Sequence, residues 1–143
     1  MSGMSLIVKT ITRLVFGFII IFGASIVLYG HLTPGGGFAG GVMLACGFIL
    51  LVLAFGKDTT LKIISEKSLS VWDCLGAVIF LMIAVIGYSG GFFFCNFLSR
   101  GTPLRLVSAG TLMWSNIAIG IKVSASLLAV FIALALYRME RSE

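Results

Sequence analysis

Four long stretches of this sequence carry no charged side chain at all, residues 14–30, 32–56, 74–99 and 106–121. A bilayer core about 30 Å thick is crossed by about 20 mainly apolar residues in helical conformation. Four such stretches use up most of a chain of 143 residues and leave no room for a separate soluble domain. Only 10% of the residues are charged, against about a quarter in ordinary soluble domains. The expected fold is therefore an all-α integral membrane protein, a single membrane domain over residues 1–143 with four transmembrane helices. The spans are placed at about 14–29, 38–55, 71–88 and 111–137, with a cytoplasmic loop at 57–70 and an outer loop at 95–108. Lys9 and Arg13 precede the first span in the manner of a signal peptide, but no A-x-A-like cleavage site follows, so it reads as a retained helix.

The formal net charge of +5 has a topological explanation. Lys9, Arg13, Lys57, Lys62, Lys67, Arg138 and Arg141 fall on one side of the proposed spans, and Arg100 and Arg105 on the other. Positive residues gather on the cytoplasmic side, so both termini are expected in the cytoplasm of a prokaryotic cell, with the chain in its inner membrane. The basic excess is thus a membrane signal, and nucleic acid is not an expected partner. Within the cytoplasmic loop, Leu61, Ile64 and Leu69 would give a short surface helix an apolar side. Ser70-Val-Trp-Asp73 matches a capping box for the third span, with Trp72 as an interfacial anchor.

Between the first two spans lies His31-Leu-Thr-Pro34-Gly35-Gly36-Gly37-Phe38-Ala-Gly40-Gly41. Pro34 ends the first span and holds the residue before it extended, and the glycines permit positive φ and close backbone approach. Gly36 with Gly40 and Gly37 with Gly41 form overlapping G-x-x-x-G pairs, the spacing at which helices press together in membranes. The run lacks the G-K-[ST] ending and preceding strand of a phosphate loop, so a tight turn with close helix packing is expected. Irregular backbone at membrane depth must be buried in protein or line water, which favours partner subunits around the turn.

Lys122 is the one charge placed deep in a span. It lies eight residues after Trp114, roughly 12 Å along a helix, too far for its stem to reach the outer headgroups. An unpaired charge at this depth costs at least about 2.5 to 3.5 kcal/mol. At about 100° per residue, Ser115, Ala118, Ala125, Ser126, Ala129 and Ala133 share its side, while Met113, Ile117, Leu127 and Phe131 lie opposite. Two readings stay open: an ion pair with a carboxylate of a neighbouring subunit that fixes helix register, or a place in an ion or proton path. Asp73 is the acid to consider within the chain, yet its position at the cytoplasmic start of span three makes direct pairing with Lys122 unexpected. His31 lies at the outer end of span one. Lys122, His31 and Asp73 are the ion-path candidates.

Cys46, Cys74 and Cys95 are scattered, without metal-ligand spacing or a disulfide pattern. No metal or cofactor is expected. The absence of a nucleophile with its base or a paired-carboxylate constellation argues against an enzyme active site in this chain. A self-sufficient small multidrug exporter generally depends on a glutamate in its first span, and span one here has no acid.

The run from Gly30 through Pro34 and Phe38 to Gly41 resembles the signature of the B-subunit family of Mrp-type multisubunit sodium/proton antiporters. Asn116-Ile-Ala-Ile-Gly120-Ile-Lys122-Val123 resembles that family's second recognisable segment, and the spacing and length agree. Pro34, Gly35, Gly36, Gly37 and Phe38 match the first motif and Lys122 the second, while Ala39 departs from the larger residues common there. The resemblance implies a small subunit of a large membrane assembly, with other membrane subunits as partners and Na⁺ or H⁺ as the transported ions. The host would be a free-standing antiporter or a membrane-bound hydrogenase-like respiratory complex. The alternative is a structural assembly subunit with no direct part in the ion path.

Overall fold

The computed structural model describes residues 4–56, 65–96, 98 and 108–140. Its elements are α1 (Leu6–Tyr29), α2 (Gly37–Phe55), α3 (Glu66–Tyr88) and α4 (Thr111–Glu140). Each of these four helices is long and apolar enough to cross a membrane, in agreement with the uncharged stretches. Large apolar side chains point outward along them, such as Phe18, Ile21, Leu81 and Leu134. That distribution suits a lipid solvent, because hydrocarbon tails do not penalise exposed apolar surface as water does.

Contacts join α1 to α2, α2 to α4 and α4 to α3, with a thinner contact between α1 and α4. Thus α2 and α4 form the middle of the layer and α1 and α3 its flanks. Gly37 lies against Asn116 and Ile119, and Gly41 against Gly120 and Val123, so α2 and α4 run parallel. The flanking helices run the other way. Met4 N–H donates to Ala54 C=O at 3.1 Å, bringing the start of α1 to the end of α2. Lys9 and Arg13 at this end stand over the Phe55 ring at 6.0 and 5.1 Å, within cation–π range. Val52, Leu69, Leu128 and Ile132 form a buried cluster at the same end, with Phe48 and Phe131 packed against it.

α3 begins at Glu66 with Ser65 at its N-cap, and no side-chain cap bond is made there. The capping box expected at Ser70 and Asp73 is therefore not formed; both residues lie inside the helix, where their backbone N–H groups already have helical partners. Of the surface helix expected over 57–70, Leu61 and Ile64 lie outside the described residues. Leu69 is buried against α2 and α4 instead of lying in an interface. In the loop between α3 and α4, Arg100 and Arg105 lie outside the described residues. Asn96 closes that loop: its Oδ1 accepts from Thr111 N–H at 3.2 Å and from Thr111 Oγ1 at 3.4 Å, and its Nδ2 donates to Ala109 C=O at 3.4 Å. One amide thereby satisfies a free donor at the N-terminus of α4.

Candidate functional site: an ion pair between α3 and α4

The glycine turn places α2 against two helices of its own chain. After α1, Leu32 and Thr33 N–H both donate to Tyr29 C=O, closing a turn. Gly36 then adopts φ 131°, a conformation that side-chain-bearing residues rarely reach, and α2 starts at Gly37. A Cβ on Gly37 would collide with the Asn116 carbonyl of α4, and one on Gly41 would lie 2.9 Å from the Gly120 carbonyl. Gly40 faces the other way, where a Cβ would collide with Val27 and approach the Gly23 carbonyl of α1 to 2.8 Å. Gly47 continues that side against Phe16 and Ile19. The glycine face of α2 is thus covered within the chain, by α1 and α4. Pro34, Gly35 and Phe38 are exposed at the end of the layer, and His31 is half-buried beside them.

At the α3–α4 seam, Lys122 Nζ lies 2.8 Å from Asp73 Oδ1. Ser126 Oγ donates to the same carboxylate oxygen in a short hydrogen bond. This pair is unexpected from the places of the two residues in the sequence, and the reason it forms is geometric. With α3 starting at Glu66, Asp73 lies two turns inside the helix, roughly 10 Å from its first residue. α3 and α4 are antiparallel, so a residue further along α4 lies nearer the start of α3. Gly76 sits directly on Ala118 and Lys122, where a Cβ would lie 2.9 Å from Ala118 O and from Lys122 N and Cβ. One turn toward the start of α3 from Gly76 is Asp73; one turn further along α4 from Lys122 is Ser126. The lysine and the serine, four apart on one face, therefore hold the aspartate between them.

An unpaired lysine or aspartate at this depth costs about 2.5 to 3.5 kcal/mol. Supplying the carboxylate from α3 cancels the net charge inside the layer. It also crosslinks the outermost helix to the central one, and membrane hydrogen bonds of this kind are worth about 0.6 to 2 kcal/mol. The pair is not sealed by its own chain, since the Lys122 side chain keeps 44% of its surface exposed and Asp73 34%. Beside it, a groove of about 380 Å³ lined by Phe48, Leu69, Trp72, Ile121, Ala125 and Leu128 opens between α2, α3 and α4. The groove is mostly apolar, with Ser68 and Ser124 also in its wall, and the Ser124 hydroxyl donates to the Ile121 carbonyl at 3.0 Å.

Of the three ion-path candidates, Lys122 and Asp73 are brought together, whereas His31 stands at the opposite end of α1 from Lys9 and Arg13. Ser126 and Gly76 complete the site and were not singled out as site residues. Their signal was present as spacing, Ser126 four after Lys122 and Gly76 three after Asp73 on consecutive spans, which run in opposite directions. No cluster of three or more metal-ligating side chains occurs among the described residues.

The layer and its internal ion pair define a polytopic helical membrane protein whose charged groups are built into helix packing. More specifically, the chain belongs to the MnhB family: the family described as "Domain related to MnhB subunit of Na+/H+ antiporter" matches residues 7–129. An uncharacterised protein of Methanocaldococcus jannaschii is 39% identical over 115 residues, covering 76% of this chain and 44% of that protein. A putative antiporter subunit of Staphylococcus aureus (strain Newman), mnhB2, is 37% identical over 62 residues, 43% of this chain and 44% of that protein. Among solved structures, a chain of the membrane-bound sulfane sulfur reductase, an archaeal respiratory membrane complex, superposes with a TM-score of 0.78 at 31% identity. That match covers 93% of this chain and 61% of the reductase chain. The chain therefore spans less than half of these curated relatives and about three-fifths of the structural one.

Proposed function

We propose that this chain is a subunit of an Mrp-type cation/proton antiporter module and contributes to Na⁺/H⁺ translocation across the cell membrane. The host is a free-standing antiporter or a membrane-bound respiratory complex. Membership of the MnhB family supports the first part, and the likeness to a chain of a respiratory membrane complex supports the second. The observation that carries the ionic part is the Lys122–Asp73–Ser126 cluster, a titratable pair held at membrane depth and left partly open. A pair of this kind can exchange a proton or reorient when the local field changes, because each partner sets the charge state of the other. Both chain ends at the Lys9–Arg13 side would face the cytoplasm, as the distribution of lysine and arginine favours.

A second reading has its own support. The same pair bolts α3 to α4, a purely structural contribution to an assembly subunit outside the ion path. Deleting the chain from its host and restoring it as wild type or as Lys122→Met separates the readings. Under the proposed function the deletion abolishes sodium-dependent proton flux in membrane vesicles, wild type restores it, and Lys122→Met assembles without restoring it. Full flux from an assembled Lys122→Met complex refutes the ionic role and leaves the structural one.

A further inference from the structure

The ion pair is satisfied in charge but not in hydrogen bonding. Lys122 and Ser126 both donate to Asp73 Oδ1, so Asp73 Oδ2 has no hydrogen-bond partner among the described residues. An ammonium group carries three donors, and Lys122 uses one of them here. The two side chains that carry these unused groups are both partly exposed. In a bilayer that surface meets hydrocarbon unless something else covers it, and hydrocarbon offers no hydrogen bonds. Along α4 the same side continues through half-buried Ala129 to exposed Ala133. At about 100° per residue both fall close to the direction of Lys122. Small side chains there let another helix backbone approach.

We propose that this flank of α3 and α4 is the contact surface for a transmembrane helix of a neighbouring, different subunit, and that this helix presents an uncharged amide side chain to the pair. The inference rests on the proposed function in one respect, that the chain works inside an assembly. Charge decides the chemistry. Asp73 already neutralises Lys122, so an additional carboxylate or ammonium from the partner would leave a net charge in a low-dielectric interface. An asparagine or glutamine instead donates through its NH₂ to Asp73 Oδ2 and accepts through its carbonyl from Lys122. A hydroxyl also donates and accepts, but from one atom that must reach both groups at once, whereas an amide carries its donor and acceptor on separate atoms. The carboxylate that Lys122 needs thus comes from its own chain, and the neighbour supplies polarity without charge.

Two measurements on the assembled complex test this. In the first, a photo-crosslinking amino acid replaces Ala133, with Phe18 on the outer surface of α1 as the reference position. Ala133 is expected to react with a transmembrane segment of another subunit that carries an asparagine or glutamine, and Phe18 with lipid. Reaction of Ala133 with lipid alone, or with a second copy of this chain, overturns the proposal. In the second, the charges are exchanged by Lys122→Asp with Asp73→Lys. An amide can turn over to serve either polarity, so the exchanged complex is expected within about twofold of wild-type yield, while Lys122→Glu alone falls at least about tenfold. Exchange that lowers yield as far as Lys122→Glu, with the chain still present in the membrane, points to a charged partner and refutes the neutral one. If the exchanged chain fails to accumulate, the crosslinking result decides. A wild-type chain that travels with no other subunit refutes the proposed function itself, an outcome distinct from lipid adducts at Ala133 in an intact complex.

Discussion

Replacing Gly76 by alanine tests whether close approach of α3 to α4 is what builds the ion pair. An added Cβ would stand 2.9 Å from Ala118 O and from Lys122 N and Cβ. Two of these three contacts are to helical backbone and the third is to a Cβ fixed to it, so none can swing aside. Ordinary van der Waals contact begins near 3.4 Å, so the helices must separate by roughly half an ångström at this crossing. Overpacking of this order costs about 1 to 3 kcal/mol. Alanine also gains up to about 1 kcal/mol over glycine in helix propensity, which would mask part of the effect. Gly17 supplies the correction, because a Cβ there meets nothing within 4 Å. The difference between Gly76→Ala and Gly17→Ala removes the propensity gain and leaves packing, about 1 to 3 kcal/mol or roughly 5- to 150-fold in the unfolding equilibrium. Reversible unfolding in mixed micelles, followed by tryptophan fluorescence from Trp72 and Trp114, reads it. Equal stability of the two variants within about 0.3 kcal/mol would refute the close-packed seam, since additivity holds to about that level.

Further outcomes follow from the same geometry. Lys122→Met and Asp73→Leu should each destabilise the chain more than the double variant does, with a coupling of about 0.6 to 2 kcal/mol in a double-mutant cycle; zero coupling would mean that the pair does not form. Gly41→Leu drives a branched side chain into the Gly120 carbonyl and Val123, and should cost at least about 3 kcal/mol or prevent accumulation in membranes. Asn96→Ala removes the acceptor for Thr111 N–H, at a cost of about 1 kcal/mol by analogy with helix caps, and hydrogen exchange at Thr111 should quicken while exchange at mid-helix amides stays as it was.

The four spans were legible because lipid crossing needs long uncharged stretches, a requirement each stretch meets independently of its neighbours. The glycine turn was legible for a similar reason, since Pro34 and Gly36 act on their own backbone. What covers the glycines was not legible: the G-x-x-x-G spacing reports a smooth surface and says nothing about whether α1, α4 or another chain lies on it. The Lys122–Asp73 pair was missed for a definite reason. The uncharged stretch places the start of span three near Val71, but α3 begins at Glu66, and a charged first turn does not stop a helix. Five residues move Asp73 roughly 7 Å along the axis, enough to bring it beside Lys122. Antiparallel pairing of α3 with α4 predicts the meeting once Gly76, packed on Ala118 and Lys122, sets the register.

The ionic role of the pair is tested most directly by sodium-dependent proton flux through the purified complex in sealed vesicles, comparing wild type with Lys122→Met at equal assembled protein. If the pair takes part in translocation, flux falls at least about tenfold, the equivalent of about 1.4 kcal/mol on the limiting step, with the subunit composition unchanged. Flux equal to wild type from an intact Lys122→Met complex would contradict that role and reduce Lys122 and Asp73 to a bolt between two helices.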